Sequence, residues 1–78
     1  MKATIENIIY KDGNEETFNW VKPSVSYSTF IDLQFKGTKA LKNLKNQLKK
    51  YALEGDLKDM KSTTLKLVGY SDTIVVEL

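Results

Sequence analysis

Apolar and polar residues alternate along the middle of the chain in a pattern typical of an extended strand. From residue 25 to residue 36, one side of an extended backbone carries the residues Val25, Tyr27, Thr29, Ile31, Leu33 and Phe35. A repeat of two residues indicates a β-strand. We therefore predict the clearest strand of the protein at residues 25–36.

One hairpin is predicted on each side of this segment. Asp12 and Gly13 separate the β-prone runs 3–11 and 16–22. An Asp-Gly pair at such a place favours a tight turn, because glycine accepts the positive φ that the turn needs. Towards the other end, Ser71 and Asp72 separate the runs 63–70 and 73–78, which predicts a second hairpin.

After Gly37 the apolar repeat changes to that of a helix. At about 100° per residue, one narrow stripe collects the residues Ala40, Leu41, Leu44, Leu48, Tyr51 and Ala52. Thr38 is placed to cap the start of this helix, and Gly55 is placed to end it. Residues 56–62 are predicted to form a connecting turn with some helical character.

The element order is then β-β-β-α-β-β over the 78 residues. This order predicts one small α+β domain, residues 1–78, with a mainly antiparallel sheet of about five strands and one amphipathic helix packed on one face. The composition agrees, since 41 % apolar and 28 % charged residues are typical of a folded domain.

Lysines are concentrated in the predicted helix and in the turn before it, and no acidic residue occurs between residues 33 and 53. The lysines are Lys36, Lys39, Lys42, Lys45, Lys49 and Lys50. Like charges three or four residues apart each cost an isolated helix roughly 0.2 to 0.5 kcal/mol. Three interpretations stay open: a solvated surface, a surface for a phosphate backbone, or a surface for an acidic protein partner.

Arginine is absent, and this limits the nucleic-acid interpretation. All twelve basic residues are lysine, and the net charge of the whole chain is only +2. Base-edge recognition favours the planar guanidinium group, whereas lysine acts as a point charge. Any nucleic-acid binding by this helix is therefore expected to lack sequence specificity.

The second face of the sheet is the other candidate surface, because several predicted strands carry apolar residues on both sides. The pairs are Ile8 with Ile9, Phe30 with Ile31, and Val75 with Val76. We predict a protein interface there, formed by Tyr10, Trp20, Phe30 and Tyr70. Aromatic residues of this kind anchor a homodimer or a partner, and they also stack on single-stranded bases. Burial of these side chains by loops is the remaining alternative.

The chain contains no histidine and no cysteine. This excludes histidine-based and cysteine-based nucleophilic catalysis and the usual zinc sites. We expect no catalytic residues, no metal and no cofactor. No apolar run approaches the roughly 20 residues of a membrane span, and no signal-peptide pattern is visible, so we expect a cytoplasmic protein without a membrane partner.

These patterns together predict a small non-enzymatic binding module that acts through protein-protein interaction, by self-association or with another protein. The small, lysine-rich, cysteine-free chain is of a general character common among small proteins of phages and mobile elements, which suggests an inhibitor or accessory protein. The alternative function is non-sequence-specific nucleic-acid binding through the lysine-rich helix.

Overall fold

The computed structural model describes residues 1–18 and 21–78. These described residues form five strands and two helices, and a short 3₁₀ turn at Leu57–Asp59 precedes the fourth strand. Their bounds are β1 Lys2–Tyr10, β2 Glu15–Thr17, β3 Ser24–Ser26, α1 Tyr27–Gln34, α2 Thr38–Tyr51, β4 Met60–Leu67 and β5 Thr73–Glu77.

All strand pairs are antiparallel, and β1 lies inside the sheet. β2 and β3 pair with successive parts of one edge of β1, β4 pairs with its other edge, and β5 lies outside β4. Both helices pack on one face of the sheet, mainly over β1, β3 and β4. The predicted α+β class and the mainly antiparallel sheet of about five strands are confirmed, with one helix more than predicted.

Both predicted hairpins form. In the β1–β2 turn Gly13 adopts a φ of +92°, and the Asp12 carboxylate accepts a hydrogen bond of 2.9 Å from the backbone N–H of Asn14. The β4–β5 hairpin turns at residues 68–72. The connecting turn predicted at 56–62 is also found, as the 3₁₀ turn, although β4 already begins at Met60.

The strand predicted at residues 25–36 is wrong. Only Ser24–Ser26 is extended, and the rest forms α1. Ser26 caps this helix, since its hydroxyl accepts a hydrogen bond of 3.2 Å from the N–H of Thr29. Phe30 and Leu33, one helical turn apart, are buried. Their contacts with the core stabilise the helical arrangement, whereas a strand would have placed Phe30 on the side away from Leu33.

The amphipathic helix predicted after Gly37 is α2, and Ala40, Leu44 and Leu48 are buried along its inner side. Its predicted ends are wrong. Gly37 occupies the capping position in place of Thr38, without a side-chain hydrogen bond. Gly55 has no positive φ; instead, a Cβ atom there would lie 2.8 Å from Cε1 of Tyr10, so glycine is needed for close packing.

A bulge in β1 keeps its apolar residues on the side of the helices. The register with β4 shifts between Ile5 and Asn7, and this extra residue turns Ile8 to the same face as Ile5. The core that results consists of Ala3, Ile5, Ile8, Tyr10, Val25, Phe30, Leu33, Ala40, Leu44, Leu48, Met60, Leu65 and Leu67.

One carboxylate lies at the border of this core. Glu16 of β2 is only 5 % exposed, and it accepts three hydrogen bonds: 2.6 Å from the Tyr10 hydroxyl, 2.9 Å from the N–H of Leu53 and 3.2 Å from the N–H of Glu54. Burial of the phenol, and then the hydrogen bond to Glu16 and its charge, raise the pKa of Tyr10 well above its usual range. Glu16 thus ties the end of α2 to the sheet.

Candidate functional site

The outer strand β5 presents unpaired main-chain groups. At the two ends of its ladder with β4, Leu67 N–H donates to the Asp72 carbonyl and Leu78 N–H donates to the Lys61 carbonyl. Because hydrogen-bonded pairs recur at every second residue of an antiparallel ladder, even-numbered residues of β5 bond to β4. The N–H and C=O groups of Thr73, Val75 and Glu77 therefore point away from β4, where no strand of the described chain lies.

A groove runs along the helix side of this edge. Since the helices cover mainly β1, β3 and β4, they leave a space of about 610 Å³ between β5 and the corner where α1 meets α2. Its apolar lining comes from Leu33, Leu41, Ile74 and Val76, and polar groups of Gln34, Lys36 and Glu77 also border it. Ile74 and Val76 are consequently only half-buried.

The β5 edge lacks three of the features that usually protect an edge strand, although it is only five residues long and carries one charged side chain, Glu77. Proteins block such strands with lysine, proline or a bulge. The sequence of β5 contains neither lysine nor proline, and its register with β4 is regular. Val75 is 64 % exposed on the opposite face from the groove, and Phe35, next to the groove residue Lys36, is 79 % exposed. This edge is suited to pairing with another strand.

The six lysines predicted as a binding surface lie on the outer side of α2 and in the turn before it. Lys45 is half-buried beside the 3₁₀ turn, and the other five, Lys36, Lys39, Lys42, Lys49 and Lys50, are exposed. Lys36 has a φ of 57° and lines the groove. Lys50 Nζ lies 5.4 Å from the centre of the Tyr51 ring.

None of these lysines forms an ion pair with an acid in residues 1–18 and 21–78, where the salt bridge found joins Lys22 to Glu6 at 2.8 Å. The Lys22 ammonium group, as the main cause, lowers the pKa of Glu6. Ion pairs within residues 1–18 and 21–78 therefore do not neutralise the lysines of α2. The charge of this helix is left to solvent or to a partner.

The aromatic interface predicted from the sequence does not form as a unit. Tyr10 is 5 % exposed and Phe30 is 2 % exposed, so the prediction is wrong for both: the bulge in β1 turns Tyr10 inward, and the helical conformation of 27–34 turns Phe30 inward. Tyr70 is exposed in the β4–β5 turn, and its role stays a prediction. Trp20 lies outside the described residues.

The second face of the sheet is polar, contrary to the prediction. Its exposed and half-buried side chains include Lys2, Thr4, Asn7, Thr17, Thr64, Lys66, Thr73 and Glu77. Ile9 and Val75 are the apolar exceptions. The pair Val75–Val76 was the signal in the sequence for a strand with two apolar sides, but the sequence does not reveal that this strand lies at the edge.

Residues 1–18 and 21–78 contain neither a metal-binding cluster nor a membrane-spanning helix. Among the described residues, no three side chains of histidine, cysteine, aspartate or glutamate come together to hold a metal ion. In the same part of the chain, neither α1 nor α2 has the length and apolar character needed to cross a membrane. Comparison with models of known protein families, with curated proteins and with solved structures gives no match for this chain.

Proposed function

We propose that the protein is a non-enzymatic binding module that takes up an extended polypeptide segment on the β5 edge. The observation that carries this proposal is the unprotected main chain of Thr73, Val75 and Glu77 beside an apolar groove. Strand addition uses these two features: main-chain hydrogen bonds provide affinity, and pockets for every second side chain provide selectivity. An inhibitor or accessory protein is the form of such a module that its small size favours.

The bound segment is expected to alternate in character. Its residues on the helix side would extend the apolar row of Ile74 and Val76 into the groove, next to Leu33 and Leu41. Its residues on the other side would lie beside Val75, on the polar face of the sheet. The preferred partner is therefore a β-prone sequence with apolar residues at every second position.

A peptide-display selection on the immobilised protein tests this function. We expect enrichment of alternating, β-prone peptides that bind the wild type and fail to bind Val75→Pro. The Val75 N–H points away from β4, so proline removes no hydrogen bond within the sheet. Val75→Thr is the matched control, because it keeps the N–H and the β-branched shape, and it should bind like the wild type. Enriched peptides that bind Val75→Pro equally well, or no enrichment on a protein that stays monomeric, would contradict strand addition.

A second candidate function is electrostatic binding of nucleic acid by α2. It is favoured by the five lysines of α2, which form no ion pair in the described chain and have no acidic neighbour in the helix. If the five neutralise five phosphates, log affinity for duplex DNA should fall with log salt at a slope near −4.5. Fluorescence anisotropy of labelled duplex and single-stranded oligonucleotides between about 50 and 200 mM salt measures this slope.

Variants of equal charge identify the responsible surface. Replacing Lys42, Lys45 and Lys49 by glutamine should weaken binding to all oligonucleotides alike and reduce the slope. The control replaces Lys2, Lys61 and Lys66, which are exposed on β1 and β4, and should have a smaller effect. An equal loss of affinity in both triple variants would assign the binding to the net charge of the protein. If the wild type binds no oligonucleotide even at low salt, the α2 lysines do not bind nucleic acid.

A further inference from the structure

We infer that the segment bound at the β5 edge is β5 of a second copy of this chain. The inference rests on the proposed function and names its partner. The two strands would pair antiparallel about a two-fold axis through Val75, so that one sheet continues across both copies. Closed two-fold dimers need a surface that is complementary to itself, and the register of β5 supplies one.

The main chain of β5 fits this arrangement. Thr73, Val75 and Glu77 all direct their N–H and C=O groups to the free edge. With Val75 facing Val75 of the second copy, each Thr73 faces the second copy's Glu77. These three pairs are all of the hydrogen-bonded type, which gives about six main-chain hydrogen bonds between the copies. A shift by one residue would lose all of these bonds, and a shift by two would leave only two of the three pairs within Thr73–Glu77, so the register centred on Val75 is the best bonded one.

The charges fit the same register. No like charges face each other, since each Glu77 lies opposite a threonine. Lys66 of β4 is the direct neighbour of Thr73 on the polar face. Across the dimer, three side chains on the polar face therefore follow one another: Lys66, the short Thr73, and Glu77 of the second copy. The backbones of Lys66 and of this Glu77 are two strand spacings, or about 10 Å, apart. Lysine and glutamate side chains reach each other over that distance, and symmetry gives two such pairs.

The apolar side chains of β5 and of the groove also fit the dimer centred on Val75. A two-fold axis perpendicular to the sheet keeps the helices of both copies on the same side. Ile74 of each copy then lies opposite Val76 of the other, and the two grooves beside Leu33 and Leu41 become continuous. The exposed Val75 side chains meet on the other face. A foreign segment would need to supply each of these groups, whereas a second copy already contains them.

Sedimentation equilibrium from about 1 to 500 µM protein tests the inference. The wild type should dimerise, and Val75→Lys should weaken the dimer at least tenfold, or about 1.4 kcal/mol, because two lysines would face each other at the axis. Val75 is largely exposed in the single copy, so circular dichroism should show an unchanged fold. Val21→Lys is the matched control at another exposed valine, and its dimer should be as stable as that of the wild type.

A charge exchange tests the register. Lys66→Glu and Glu77→Lys should each weaken the dimer, and the double variant should restore it. A wild type that is monomeric at 500 µM, or a double variant no better than the single ones, would overturn the inference. A monomer whose selected peptides still depend on the Val75 N–H would overturn self-pairing and leave the proposed function intact, whereas a monomer that selects no peptide would contradict both.

Discussion

Replacing Glu16 by glutamine is expected to destabilise the fold, although the two side chains have nearly the same shape. One carboxylate oxygen accepts from the Tyr10 hydroxyl and from the Glu54 N–H, and the other accepts from the Leu53 N–H. The glutamine amide has one acceptor oxygen, and its NH₂ group would face a donor. At least one of the three donors therefore loses its partner.

The size of the effect follows from these three bonds. A buried donor without a partner costs about 1 to 3 kcal/mol, and the cost is near the lower value for the N–H groups of Leu53 and Glu54, which are only part-buried. The two bonds that remain weaken by about 1 kcal/mol each when the acceptor is neutral. The relief of a buried charge offsets part of this loss. We expect a net decrease of about 2 to 4 kcal/mol in the free energy of unfolding, from a total of about 4 to 12 kcal/mol for a domain of this size.

Urea denaturation followed by far-ultraviolet circular dichroism measures this change. With an m-value near 1 kcal/mol/M, the midpoint should fall by about 2 to 4 M. Glu15→Gln is the matched control, because the adjacent Glu15 carboxylate is exposed and, among the described residues, accepts a hydrogen bond only from Asn7. Its effect should stay within about 0.5 kcal/mol. Hydrogen exchange of the Leu53 and Glu54 amides should accelerate in Glu16→Gln alone. Equal stability of the two variants would refute the assigned role of Glu16.

Two further predictions concern Tyr10. Burial and Glu16 raise the pKa of Tyr10 in the folded state, so the folded protein keeps a proton that the unfolded chain releases near pH 10. The contribution of this shift to the free energy of unfolding should be fully present below about pH 10 and should fall above it by up to 1.4 kcal/mol per pH unit. Urea titrations at alkaline pH should show that Tyr10→Phe lacks this contribution. Gly55→Ala places a methyl group 2.8 Å from Cε1 of Tyr10. In a thermal or urea melt, this change should lower the free energy of unfolding by about 1 to 3 kcal/mol. A gain in stability, as an unstrained glycine position would give, would show that this close contact does not require glycine.

Local signals in the sequence predicted the elements whose structure depends on local interactions. The Asp12–Gly13 turn and the 100° stripe of Ala40, Leu44 and Leu48 each fit one conformation. Residues 27–34 fit two conformations. Their alternation of apolar and polar residues is compatible with a strand, but Phe30 and Leu33 also lie one helical turn apart. Only burial of these two side chains against the sheet, a tertiary interaction, decides between them.

Features that depend on contacts between distant parts of the chain, including the β5 edge of the candidate site, were less accessible to prediction. Glu16 is one of two adjacent acids, and nothing local distinguishes it from exposed Glu15; its burial depends on the end of α2, 37 residues away. Similarly, the run Ile74–Val76 indicated a strand with two apolar sides. Its place at the edge depends on the pairing of β1 with β4, which short-range patterns do not encode.

The pairing of β1 with β4 has a consequence for folding during synthesis. Ala3 pairs with Leu67, so a ribosome that adds about 5 to 20 residues per second needs about 3 to 13 s to make the partner of β1 after β1 itself. In that interval β1 can pair only with β2 and β3, which are three residues long each. The edge of β1 that pairs with β4 therefore stays open to wrong partners until β4 leaves the ribosome. This long-range pairing is expected to make folding slow for so short a chain.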